Sequence, residues 1–123
     1  MSTWLRRGCR ELGVAEERAG ELEVCANEIV TNVISYGYAG APASAVPRAI
    51  ELHLACAGTA GRLTVEDNGC PFDPVTAVLP EPPAGLADAP IGGLGIKMVR
   101  SMMARCTYRR VDGRNVFVMT THP

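Results

Sequence analysis

Three short runs in this chain carry groups that could handle a nucleotide: Glu28-x-x-x-Asn32, Asp67-Asn68-Gly69 and Gly92-Gly93-Leu94-Gly95. Glu28 and Asn32 stand four apart, so on a helix they share one face. A carboxylate and a carboxamide oxygen on one ridge suit a Mg²⁺-phosphate site, because Mg²⁺ takes one or two protein oxygens and draws the rest from phosphates and water. Asn32 supplies its oxygen without charge, leaving Glu28 to act as a base or to orient a nucleophile. Asp67 closes an apolar run, where a carboxylate can accept a hydrogen bond from an exocyclic amine such as that of adenine. Gly69 lets the backbone turn and a flat ligand approach it. The glycine run opens a helix, whose free N–H groups attract phosphate. Lys97, the only lysine of the chain, falls in the first turn of that helix and could reach phosphate oxygens. Each run also has an ordinary reading: a solvated helix face, an Asp-Asn-Gly turn, a hinge beside a loop, a surface lysine. All three together, in this order, point to a nucleotide site.

The elements that must position these groups are legible in the periodicity. Thr3–Leu12 reads as a short helix carrying apolar Trp4, Leu5 and Leu12, stopped by Gly13. A longer helix follows from about Ala15 to Tyr36. Glu16, Glu17 and Glu21 suit its positive end, and Leu22, Ala26, Ile29 and Val33 form one apolar stripe. The period then changes to two: Ile50, Leu52, Leu54 and Cys56 alternate with polar or small residues, and Leu63 and Val65 resume after a Gly58–Gly61 turn. Six prolines in residues 71–90 predict a long loop. Ile96, Val99, Met102 and Met103 predict a helix from about Gly95 to Ala104. Strands Cys106–Val111 and Asn115–Thr121 flank an Asp112-Gly113 turn. The order is an α+β layer, with helices on one face of a mainly antiparallel sheet.

Bulk properties set limits. The 123 residues fit one domain, and a net charge of -1 argues against binding nucleic acid by phosphate neutralisation. The five cysteines, Cys9, Cys25, Cys56, Cys70 and Cys106, are scattered without C-x-x-C spacing, so reduced thiols are expected. No run has membrane-spanning length, and Met1–Arg10 shows no signal-peptide pattern; the expectation is a soluble cytoplasmic protein. His53 and His122 lie far apart with no Cys or carboxylate at ligand spacing, so no histidine metal site is expected. No serine has a plausible His and Asp pairing for a hydrolase triad.

Glu28-Ile-Val-Thr-Asn32, Val65-Glu-Asp67-Asn-Gly69, Pro71-Phe-Asp73-Pro74 and the run from Ile91 through Gly95 and Arg100 to Met103 together resemble the anti-sigma factor serine/threonine kinases of bacteria. These form a branch of the GHKL, or histidine-kinase-like, ATPase superfamily. Asn32-Val-Ile-Ser-Tyr36-Gly-Tyr38 and Asp112-Gly-Arg-Asn-Val116 add to the likeness, which covers about residues 15–120. The resemblance implies a single domain over 1–123 with the Bergerat ATP-binding fold: a two-layer α/β sandwich with a left-handed crossover, a mixed, mainly antiparallel sheet, and a lid at about 73–91. It implies ATP and Mg²⁺ as cofactors, with Asn32 holding the metal and Asp67 reading the adenine amine. Gly69 would lie against the base. Gly93 and Gly95 would cradle the phosphates, with Ile91, Gly92, Leu94 and Lys97 in the same stretch. Glu28 would be the general base on a protein hydroxyl. The implied partners are an anti-sigma factor antagonist of STAS type as phosphoacceptor and a sigma factor; homodimers are usual among relatives, while nucleic acid and membrane are not direct partners.

Three positions depart from the pattern. Tyr36 stands where many relatives carry His. Arg114 or Asn115 occupies the region where a Thr often lies near adenine. Relatives also have an apolar strand before the first helix that Met1–Thr3 cannot supply; either a sheet edge is left exposed that could pair with another subunit, or the start lies upstream. Two other readings stand beside the kinase: a non-catalytic, nucleotide-gated binding module, and the catalytic part of a two-component histidine kinase.

Overall fold

The computed structural model describes residues 1–37, 49–74 and 91–123; for 36, 37 and 91–95 the backbone alone is described. The Ala39–Pro47 loop and all but the ends of the expected lid lie outside them.

Helix α1 (Ser2–Glu11) buries Leu5 and Cys9, one turn apart, while Trp4 and Leu12 are exposed. Gly13, at φ 80°, ends it in the left-handed region that only glycine enters freely. Helix α2 (Glu16–Asn32) buries the expected stripe of Leu22, Ala26, Ile29 and Val33, together with Ala19 and Cys25. It ends sooner than the periodicity predicts. Residues Val33–Gly37 form a π-helical turn, a wider winding that re-aims the side chains at its boundary.

Strands β1 (Ile50–Ala57) and β2 (Ala60–Asp67) form a hairpin in which Ile50 faces Asp67 and Ala57 faces Ala60. Helix α3 (Ile91–Met102) leads to β3 (Met103–Val111) and β4 (Arg114–Thr121), joined by the Asp112-Gly113 turn with φ 49° and 77°. Both central residues are left-handed, the two-residue geometry that matches strand twist. The sheet order is β1-β2-β4-β3. Every pairing is antiparallel among the described residues, where the resemblance implied a mixed sheet. β4 therefore sits between β2 and β3, and the chain crosses from β2 through α3 to reach β3.

Leu63, Val65 and Asp67 of β2 align with Met119, Phe117 and Asn115 of β4, and all six are buried beneath the helices. Gly61 brings the sheet close under the helices: a Cβ there would lie 3.3 Å from Leu22 Cδ2 and 3.4 Å from Val14 Cγ1. Ile50, Leu52 and Leu54 on edge strand β1 are only half-buried, and Cys56 is exposed rather than part of the stripe.

The opposite sheet face carries no helix among the described residues. There Arg114 Nη2 lies 3.2 Å from Glu51 Oε1. The hydrogen bond and charge of Arg114, with a smaller contribution from His53, lower the Glu51 carboxyl pKa. No helix among the described residues is long and apolar enough to cross a membrane.

The thiols divide by this layering. Burial first, then the neighbouring Cys106, Glu21 and Glu28, pushes Cys25 up to about 12, and burial also raises Cys9 and Cys106. Because the thiolate is the reacting species, Cys56 and Cys70 should react rapidly with a disulfide reagent at pH 8. Cys9 and Cys25 should react only on unfolding. Rapid native modification of Cys25, read by peptide mass mapping, would contradict the packing of α2.

Candidate nucleotide site

Leu22 packs against Gly61 near the start of β2, and the inward-facing residues beyond it, Cys25, Ala26 and Ile29 of α2 and then Val33, stay buried. Helix α2 must therefore run on over the sheet in the direction of β2, covering roughly 15 Å to Asn32 while the strand covers roughly 20 Å to Asp67. Both side chains close their elements toward the same end of the layer. Both are polar and nearly inaccessible, Asn32 at 2% exposure and Asp67 at 3%. Glu28, one turn before Asn32, is half-buried.

Among the described residues, Asn32 Nδ2 is buried without a hydrogen-bond partner. An orphaned buried amide costs about 1–3 kcal/mol, so its place at the end of α2 suits a group that takes a further partner. Rotating the amide by half a turn exchanges Nδ2 for Oδ1 and presents an oxygen, the donor Mg²⁺ prefers. On that chemistry the residue fits a metal-bound phosphate.

Asp67 is held from two sides. Its Oδ1 accepts from Gly69 N at 2.9 Å and from Asn115 Nδ2 at 2.9 Å, bonds that fix the carboxylate plane and direct Oδ2 elsewhere. Gly69 is held through its backbone, its carbonyl accepting from Arg110 Nη1 at 2.7 Å. The chain bends at Gly69 as expected, without the left-handed φ found at Gly13, Gly58 and Gly113. Asn68 instead joins the turn to β1, where its Oδ1 accepts from Ala49 N at 3.0 Å.

The residue that sequence reasoning left in doubt is the hub of this end of the sheet. Asn115, 3% exposed, donates from Nδ2 to Asp67 and, at 2.8 Å, to the Cys70 carbonyl. Its Oδ1 accepts from Tyr108 Oη at 2.6 Å, Arg110 Nη1 at 3.1 Å and Phe72 N at 3.2 Å. Only the β2–β4 pairing, invisible to periodicity, sets Asn115 opposite Asp67.

Helix α3 begins at Ile91, four residues before the expected start, so Ile91, Gly92, Gly93, Leu94 and Gly95 form its first turns. Lys97 accordingly lies in the second turn, not the first, and is exposed. The dipole penalty expected for a cation there has largely faded at that distance. Tyr36 lies within the π-helical turn.

Comparison with known proteins identifies the family. A family model described as the histidine kinase-like ATPase domain matches residues 1–121. The chain belongs to the histidine kinase-like ATPase family. Membership of this ATPase family implies ATP binding. The chain is 35% identical over 101 residues to the serine/threonine-protein kinase BtrW of Bordetella bronchiseptica, a match spanning 82% of this chain and 68% of that protein. Among solved structures it resembles the blue-light activated histidine kinase EL346 of Erythrobacter litoralis, with a TM-score of 0.55 and 18% identity; the match covers 88% of this chain and 31% of that one. The histidine kinase domain of the same protein gives a TM-score of 0.54 and 19% identity, covering 88% of this chain and 48% of that one. At such identities the likeness is one of fold.

Exchanging the Asn115 amide for a carboxylate tests the hub. N115D would set two carboxylates about 3 Å apart, so one ionises only at raised pH. We expect a loss of about 2–4 kcal/mol at pH 7 by urea denaturation. The loss should shrink as pH falls, because protonating one of the pair restores a donor. A penalty independent of pH would mean that Asn115 does not face Asp67.

Proposed function

We propose that this ATPase-family chain is a protein serine/threonine kinase that transfers the γ-phosphate of Mg-ATP to an anti-sigma factor antagonist of STAS type and sequesters a sigma factor. The observation that carries the reading is the α2 ridge: a half-buried Glu28 one turn ahead of a buried Asn32 with an orphaned amide. The relationship to a protein named a serine/threonine kinase supports the choice of acceptor.

Asn32 would hold Mg²⁺, Asp67 would accept from the adenine amine, and the backbone of Ile91–Gly95 would meet the phosphates. Bound Mg-ATP supplies the phosphoryl group and the charge neutralisation that such transfer needs. Glu28 takes the proton of the incoming serine or threonine hydroxyl as its oxygen bonds to the γ-phosphorus and the bond to the β-phosphate oxygen breaks, releasing ADP. Half-burial suits that role, since the carboxylate keeps one side open to a protein substrate. Lys97, exposed on α3, remains free to approach a phosphate or an acidic partner.

Two substitutions separate chemistry from binding. E28Q should lower phosphotransfer to a cognate antagonist by about 10²–10⁴-fold, while ATP with Mg²⁺ still raises the thermal midpoint. N32A should abolish the Mg²⁺-dependent part of that rise, which for wild type at a hundredfold excess over Kd corresponds to roughly 2.7 kcal/mol. Transfer undiminished in E28Q overturns the base assignment. A midpoint in N32A that still responds fully to Mg²⁺ overturns the metal assignment.

A further inference from the structure

We propose that the open face of the sheet carries a second metal site, for a Zn²⁺-type divalent ion, built from Glu51 Oε2, His53 Nε2 and Glu66 Oε2. Glu51 and His53 lie two apart on β1 and so share a face, and Glu66 is the cross-strand partner of Glu51 on β2. Their ligand atoms all lie within 4.8 Å of one another. His53 Nε2 is 3.5 Å from Glu51 Oε2 and 3.3 Å from Glu66 Oε2. A tetrahedral ion with bonds of about 2.0–2.1 Å has ligand atoms about 3.3–3.4 Å apart, so these separations match a tetrahedral edge before any ion is present.

The ligand set is one imidazole and two carboxylates. That composition suits Zn²⁺ or Co²⁺ and not Mg²⁺, which favours oxygen and keeps its water. Three protein ligands leave a fourth position for water or for a side chain of another molecule. The surroundings suit the role. Arg114 Nη2 holds Glu51 through Oε1, the oxygen the site does not use, as outer-shell donors orient metal-bound carboxylates. The scaffold is a regular hairpin, so the three groups are carried on paired strands and not on a loop. The alternative occupant is a proton, giving a histidinium bridge between two carboxylates.

The site lies on the face away from the helices and the nucleotide residues, so it can be read without ATP. Co²⁺ is titrated into the full chain in excess Mg²⁺ and its visible absorption followed. Wild type and C56S/C70S should both show saturable bands of a four-coordinate ion, without thiolate charge transfer. H53A and E66Q should each weaken uptake at least tenfold, and R114A by about tenfold. Zn²⁺ should displace the Co²⁺ signal. Unchanged far-UV circular dichroism will show that the substitutions, all at exposed or half-buried positions, leave the fold intact. Equal uptake by wild type and H53A overturns the proposal, as does a signal lost in C56S/C70S. An absence of saturable uptake in wild type assigns the cluster to the histidinium bridge and overturns it too.

Discussion

Everything in this molecule hangs on one face of α2. Leu22, Ala26, Ile29 and Val33 lie against Leu63 and Val65 of β2 and Phe117 and Met119 of β4 in a single buried cluster. Each of the larger side chains contributes about 1.5–3 kcal/mol of transfer free energy when fully buried. The stripe fixes the rotation of the helix, and the rotation decides where polar residues at its end must go. Asn32 is buried because Ile29 and Val33 on either side of it are. Its amide is thus held out of water by the hydrophobic contacts that stabilise the fold, and its hydrogen bond, unmet among the described residues, is a cost those contacts offset.

The same layering makes the sheet two-sided in chemistry. Toward the helices, β2 and β4 present apolar residues that give way to Asp67 and Asn115 at one end. Away from them lie Glu51, His53, Glu66 and Arg114, exposed or half-buried in mutual ion pairs. Because strand residues alternate, Glu66 and Asp67 are neighbours in sequence yet serve opposite faces. The segment bearing Asp67 is braced from the inside by Asn115 and from the outside by charge.

What the sequence made legible was whatever depends on local period. The α2 stripe, the change to period two at Ile50, and the hairpin turns all follow from residue order. Relations between strands distant in sequence were not legible. β2 and β4 are separated by α3 and β3, so nothing in the alternation of either predicts that Asp67 meets Asn115. The expectation that no carboxylate stands at ligand spacing from a histidine failed differently, since the Gly58-Thr59 turn fixes the register that brings Glu51 and Glu66 together beside His53. Helix α3 began early because Gly92, Gly93 and Gly95 read locally as breakers, whereas each costs only about 1 kcal/mol within a helix. Glu28 and Asn32 were the most readable pair of the candidate site, being local to one helix.

The Asp112-Gly113 turn has a consequence for how this domain can vary. Two left-handed residues close β3 onto β4 so that Val111 faces Arg114 and Arg110 faces Asn115. The turn acts as a ruler of fixed length. Its chemistry tolerates exchange among Gly, Asn and Asp, yet one inserted residue would rotate Asn115 through the sheet and place Arg114 against Asp67. Loops elsewhere on the surface absorb insertions at little cost. Here length is the conserved quantity to look for, and drift in this family should show sequence change without indels at that hairpin.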